Sequence, residues 1–348
     1  MIIPYKIAVK TLKYRGLWFE LIYKTGWKPF LRNILPQPLS KSILDTHLRE
    51  LLEFPTVIQI EVTNACNAKC WFCSQPNSGR EKGYMEFGLF KKIVDEIAPF
   101  SRKIKAISFF MDGEPTLNPN ILKFLKYANM VGIQKINLSS NMEFFTPELT
   151  NSILDSNLGN ALQYVICSLD GASEKVHSKN RIGVDFDKAL LNTEYLISKK
   201  NQMKKIYPWV FTRLLVSDIT KREIGKFKKT WGKKADKVLC SPMHNWGGQL
   251  KDKRLIVNNN HKEFYPCYFP FSQFAIQYDG AVRLCCLDTN ESTIIGNMKK
   301  NKITEIWNGI KINEIRNLHL KKKIDELPDI CVNCSYPQRG TWVAPFYW

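Results

Sequence analysis

From Phe54 onward the chain switches regularly between two apolar spacings. Short runs with a period of two read as strands: Val57–Thr63, Ala106–Phe110, Lys135–Ser139, Tyr164–Leu169, Trp209–Val216 and Lys237–Leu239. Between them, apolar positions recur three and four apart over Phe87–Ile97, Ile121–Val131, Phe186–Lys199 and Ile224–Trp231. These predict amphipathic helices. Thr146-Pro147 opens one more, with a hydroxyl to cap the helix and Pro at its first position. Six strands alternating with helices predict an α/β fold: a parallel sheet, open or curled into a partial (β/α)6 TIM-like barrel.

The rhythm breaks after about residue 250. Phe274–Tyr278 and Ala281–Leu284 alternate on either side of Asp279-Gly280, a hairpin signal. A helical region, Thr304–Lys322, follows, and then Cys331 and Cys334. The chain divides accordingly into a helical N-terminal extension (1–54), a larger α/β unit (55–250) and a separate small C-terminal domain (251–348). The extension holds nine Lys or Arg against four Asp or Glu, interleaved with Trp18, Phe19, Trp27 and Phe30. Such a stretch either packs its apolar face on the barrel, the reading favoured here, or makes peripheral contact with an anionic membrane.

The chain's 348 residues are enough for a substantial core. Fifty-one Lys and Arg against thirty-two Asp and Glu leave a net charge of +19. This reflects either a Lys-rich soluble surface or an anionic partner: a phosphorylated or nucleotide-linked substrate, an acidic peptide, nucleic acid or a membrane. No run of eighteen apolar residues predicts a membrane span, and MIIPYKIAVK has no signal-peptide apolar run. A cytoplasmic location is expected. In that reducing compartment the ten cysteines are expected to be metal ligands or free thiols, not disulfides.

Three of them, Cys66, Cys70 and Cys73, lie in CNAKCWFC just after the first strand. In β/α barrels, groups that do chemistry sit at that end of the strands. Three thiolates leave one iron of a four-iron cluster without a protein ligand. Zinc is the alternative and would want a fourth Cys or His, but the nearest, His47 and Cys167, are far off.

CxxxCxxC with Phe72 before the last Cys resembles the radical S-adenosylmethionine (SAM) superfamily, and later motifs extend the resemblance over roughly residues 55–340. Met111-Asp112-Gly113-Glu114-Pro115 resembles the family's GGEP element, with Asp112 in place of the first Gly. Ser139-Ser140-Asn141 resembles its TNG element, with Met142 in place of the Gly; Ser168-Leu169-Asp170-Gly171 resembles a further SAM-contacting element. The resemblance implies SAM contacts from Phe72, Gly113, Glu114, Asn141, Ser168 and Asp170. Arg213 is a candidate for the SAM carboxylate by position, and Arg181 competes for that role.

Cys267, then Gly280 and Cys285, then Cys331 and Cys334, resemble the SPASM/twitch auxiliary-cluster subgroup, as does the segment TEIWNGIKINEIRNLH. A full SPASM domain takes about seven cysteines. The shorter set here implies one fully ligated auxiliary [4Fe–4S] cluster, with Cys286 as a substitute for Cys285 and zinc as the alternative. The layout most resembles that of aminocyclitol (2-deoxy-scyllo-inosamine) dehydrogenase-type enzymes. It implies two [4Fe–4S] clusters, SAM, and a low-potential electron donor such as flavodoxin or ferredoxin. The implied reaction starts with a 5′-deoxyadenosyl radical abstracting hydrogen and ends in oxidation of a sugar-like or cyclitol alcohol. The alternatives are a peptide-modifying maturase and an RNA-modifying enzyme; a purely electron-transferring protein would want both clusters fully ligated. The substrate is expected to be a small molecule or peptide, anionic given the charge, and no nucleic acid is expected because no RNA-binding module is recognised. His177 and His244 are the candidate bases.

Overall fold

The computed structural model describes residues 52–156, 158, 161–255 and 267–335. All of the N-terminal extension but its last three residues therefore lies outside the described part. The six expected strands form: β1 (Val57–Ile60), β2 (Ala106–Ser108), β3 (Ile136–Ser140), β4 (Leu162–Ser168), β5 (Trp209–Val216) and β6 (Lys237–Pro242). They pair in parallel in chain order. The helices between them are α1 (Phe87–Ile97), α2 (Ile121–Met130), α3 (Pro147–Asp155), α4 (Glu174–Asn180), α5 (Phe186–Gln202) and α6 (Ile224–Trp231). The sheet is that of a partial barrel with its helices on the outside.

Local chemistry sets the helix starts. Thr146 accepts from the Leu149 amide and Pro147 opens α3, while Asp185 accepts from the Lys188 amide at the start of α5. The helices bury their apolar faces against one side of the sheet, where Ile58, Ile60, Ile107, Leu138, Val165 and Leu214 meet Phe90, Ile93, Phe124, Leu196 and Phe227. Phe90 stacks on Phe124 with ring centroids 4.1 Å apart, fixing α1 against α2. Because side chains alternate along a strand, the opposite, concave side carries a different set, among them Gln59, Asn137, Tyr164, Phe211 and Arg213.

The C-terminal part is not detached from this sheet. After the short α7 (Phe269–Ser272), β7 (Gln273–Ile276) pairs in parallel with β1. β8 (Ala281–Arg283) and β9 (Ile294–Asn297) then continue antiparallel, giving nine strands in the order β6-β5-β4-β3-β2-β1-β7-β8-β9. The hairpin turns at Gly280, whose φ of 92° is the left-handed region that glycine tolerates. The predicted helix over 304–322 is two helices, α8 (Ile303–Trp307) and α9 (Ile310–Leu320). They break at Asn308-Gly309, where extended Gly309 precedes α9. A four-residue helix, α10 (Asp329–Val332), carries Cys331. Among the described residues no helix is long and apolar enough to cross a membrane.

Candidate active site

Cys66, Cys70 and Cys73 lie on the loop after β1, at the strands' C-terminal rim. The three thiols are close enough for their charges to act on one another. Burial, then Glu114, pushes Cys66 up to about 12; burial, then the Cys70 charge, raises Cys73; burial raises Cys70 against the pull of Arg181. Thiols gathered in a dry site are ionised only when a metal supplies the positive charge.

Several contacts fix this loop. Asn67 donates to Glu143 Oε2 at 2.6 Å and accepts from Asn141 Nδ2 at 2.8 Å. Trp71 donates to Asn180 Oδ1, and the Phe72 carbonyl accepts from Trp246 Nε1 at 2.7 Å. Gly113 lies so close that a Cβ there would stand 2.2 Å from the Thr63 carbonyl oxygen and 2.8 Å from that of Ala65. A glycine is needed at 113, whereas 112 has room for a side chain.

The expected SAM contacts are brought to the same rim, but two of the carboxylates are already taken. Glu114 accepts from Thr116 N and Oγ1 with one oxygen and from Asn141 N at 2.7 Å with the other. It ties the loops after β2 and β3 together. Asp170, at a left-handed φ of 48°, accepts from Arg181 Nε and Nη2 at 2.8 and 2.7 Å and from Leu215 N at 2.6 Å. Arg181 also points Nη1 at Cys70 Sγ, 3.9 Å away, so it is a clamp between Asp170 and the cysteine loop. Arg213 differs. Its Nη2 meets only the hydroxyls of Ser168 (2.7 Å) and Ser139 (3.2 Å), and among the described residues no carboxylate pairs with it. Burial pulls its pKa down to about 10. A buried guanidinium without an acid calls for an anionic ligand.

The two histidines part company. His177 is fully buried, held by the Leu169 carbonyl and packed on Phe186, and burial lowers its pKa. Its place is in the packing beneath Gly171, which corrects the expectation of a pocket-facing base. His244 is half-buried and accepts from Trp246 N, in the segment that reaches Phe72.

Cys267, Cys285, Cys331 and Cys334 line a second pocket with Phe269, Leu284, Leu287, Ile330 and His319. Burial, then Cys285, Cys334 and Cys331 in turn, drives the Cys267 thiol well above its ordinary 9.0. Cys285 is raised first by a hydrogen bond with Cys286 and then by burial. Zinc at about 2.3 Å from each sulfur would draw its ligands to about 4 Å from one another. Among the described residues no three such side chains converge to hold a single ion. Four cysteines lining one apolar pocket are a donor set that fits an iron–sulfur group.

Sequence reasoning missed what joins the two sites. Asp112 Oδ2 accepts from Arg80 at 3.1 Å and from Arg283, on β8, at 2.7 Å. Arg80 also pairs with Glu61 and with Glu291. Arg283 goes on to donate to the carbonyls of Asp288 (2.7 Å) and Cys286 (3.3 Å). This buried network runs from the first cysteine loop to the second. Its one signal in the sequence was Asp112, the acid standing where the resembled motif has Gly.

Residues 60–223 match the Radical SAM superfamily, and residues 267–335 match an iron–sulfur cluster-binding domain, SPASM. The chain is 23% identical over 282 residues to the S-adenosyl-L-methionine-dependent 2-deoxy-scyllo-inosamine dehydrogenase of Niallia circulans, covering 80% of this chain and 92% of that protein. It is 30% identical over 146 residues to the mycofactocin maturase MftC of Mycobacterium tuberculosis, covering 40% of this chain and 34% of the relative. Among solved structures, BtrN in complex with AdoMet and 2-DOIA aligns with a TM-score of 0.55 at 19% identity, over 80% of this chain and 92% of the other. Streptococcus suis SuiB bound to precursor peptide SuiA aligns with a TM-score of 0.59 at 15% identity, over 78% and 69%. The structural likenesses establish the shared fold.

Proposed function

We propose that this chain, a member of the radical SAM superfamily with an appended iron–sulfur cluster-binding domain, oxidises an alcohol carbon of a sugar-like or cyclitol substrate. In this reading Cys66, Cys70 and Cys73 hold the SAM-binding cluster, and Cys267, Cys285, Cys331 and Cys334 hold one auxiliary cluster. When bound, SAM and the clusters supply hydrogen abstraction by a 5′-deoxyadenosyl radical and removal of one further electron, together the two-electron oxidation of a carbinol to a ketone.

The observation that carries the reading is the convergence of four cysteines on one pocket, in a domain that shares its sheet with the first site. Four thiolates leave no open iron for substrate, which suits an electron acceptor. The chain's own residues do the rest. Arg213 takes the SAM carboxylate, since its charge lacks a protein acid. Arg181 holds Asp170 and steers the cysteine loop. Glu114 keeps the loop carrying Asn141 in place from within. Phe72, nine-tenths buried, shields the site from water. His244 is the proton acceptor best placed near the junction of the two sites. The low-potential electron donor is expected to be a flavodoxin or ferredoxin.

The second reading is a peptide-modifying maturase, favoured by the likeness to MftC and to SuiB. The test begins with anaerobic reconstitution, iron counting and assay of 5′-deoxyadenosine after reduction with SAM. About eight irons are expected, from two four-iron clusters. Replacing Cys66, Cys70 and Cys73 together by Ala is expected to leave about four irons and no SAM cleavage. Cleavage by that triple variant would overturn the proposal. Ketone formed on a polyol, against a mass change in a peptide, separates the two readings.

A further inference from the structure

The concave side of the sheet carries a row of neutral amides, each with at least one buried polar atom that the described residues leave unpaired. Gln59 on β1 and Asn137 on β3 align through Ser108 on β2. Gln273, which opens β7, and Gln277, the residue just past its end, flank Ala275, the register partner of Gln59. Each of these amides is more than nine-tenths buried. Among the described residues, Gln59 Oε1, Gln273 Oε1, Asn137 Nδ2 and both polar atoms of Gln277 have no hydrogen-bond partner. Buried polar groups are nearly always satisfied, so several orphans on one face call for a ligand or water. They present acceptors and donors together, which is what hydroxyl groups match, since each both donates and accepts.

Beside them the same face is aromatic. Tyr164, the register partner of Asn137, stacks on Phe211 at 5.1 Å, and Trp209 lies next along at 6.4 Å from Phe211. Flat apolar rings accept the C–H face of a saturated ring, while the amides take its edge. Of the cations nearby, Arg80 and Arg283 are committed to carboxylates and Arg213 to the rim and the proposed SAM carboxylate, while Lys237 lies over the Phe211 ring at 5.8 Å, on β6 and away from the amides of β1, β3 and β7. A fixed anion in the amide layer would be buried without a partner.

We infer that Gln59, Asn137, Gln273 and Gln277 form the substrate-recognition wall, and that it selects an uncharged polyhydroxylated ring. This rests on the reading of the site given above and departs from the anionic substrate that the net charge suggested.

The test uses the reconstituted holoenzyme with SAM, without oxygen. Calorimetric binding of myo-inositol and glucose is compared with that of myo-inositol 1-phosphate, glucose 6-phosphate and an acidic decapeptide. Asn137→Leu and the near-isosteric Gln277→Met are then measured with thermal melting of each. The neutral polyols are expected to bind. Each variant is expected to weaken that binding at least tenfold while melting at the same or a higher temperature, because it removes an unpartnered group. No polyol binding, binding of only the phosphates or the peptide, unchanged polyol binding in both variants, or melting lowered in both overturns the inference. Release of 5′-deoxyadenosine is read in parallel. Polyol binding that depends on the amides, without SAM cleavage, sinks the radical reading and leaves the recognition wall. Cleavage without polyol binding does the reverse.

Discussion

Gly113 and His319 show how much single positions carry. At Gly113 a methyl group meets two backbone carbonyls, which cannot swing aside as a side chain would. Gly113→Ala is expected to cost about 1–3 kcal/mol of stability through overpacking. It should weaken SAM binding more than that, because the displaced segment carries Cys66; calorimetric titration with SAM and thermal melting check both. Burial pulls the pKa of His319 down to about 4, so it is neutral in the native state. The unfolded chain takes up that proton as the pH falls below about 6.5, and the native chain does not until about 4. Between those values the unfolded state binds more protons, so the stability this residue contributes is lost as the pH falls. His319→Gln is expected to flatten the fall in melting temperature across that window. An unchanged slope would place the titration elsewhere.

Between elements, the decisive contact joins the loop after β2 to β8. Asp112 and Arg283 are both fully buried at their charged ends, with Arg80 and Glu61 beside them. Removing one partner of such a pair leaves a buried charge uncompensated, at a cost of about 3–5 kcal/mol. Arg283→Met and Asp112→Asn are each expected to destabilise on that scale by chemical denaturation. The exposed pair of Lys103 with Glu53 is expected to contribute little, because water screens it. Arg283 also holds the carbonyl of Cys286, so Arg283→Met is expected to disturb the electron paramagnetic resonance signal of the auxiliary cluster as well. Cys285 and Cys286 are told apart by iron content. Cys285→Ala is expected to lose about four irons and Cys286→Ala none; the opposite result would exchange their roles.

Over the whole molecule, the nine-stranded sheet makes the two domains one mechanical body. Because β7 pairs with β1, the strand that launches the first cysteine loop also supports the second domain. Both parts are expected to unfold in one transition, and two resolved calorimetric peaks would contradict that. The +19 charge sits apart from the proposed chemistry: the buried arginines are committed, and Lys91, Lys103, Lys188 and Lys234 are exposed. Their charge bears on solubility and encounter with acidic partners, not on the recognition face.

Taken alone, the sequence determined the element order, the cap at Thr146 and the two cysteine sets. Period, capping chemistry and ligand spacing are local properties, readable along the chain. It also placed Ser139, Ser168 and Arg213 near one rim, since successive strands of a parallel sheet end on the same side. Only the tertiary structure decided that β7 joins β1, that Asp112 answers Arg283, and that Glu114 and Asp170 are spent on their own protein. Only it aligned Gln59, Asn137, Gln273 and Gln277 on one face. Those facts are pairings between residues about two hundred positions apart, such as Gln59 with Ala275, and no local pattern encodes a partner at that distance.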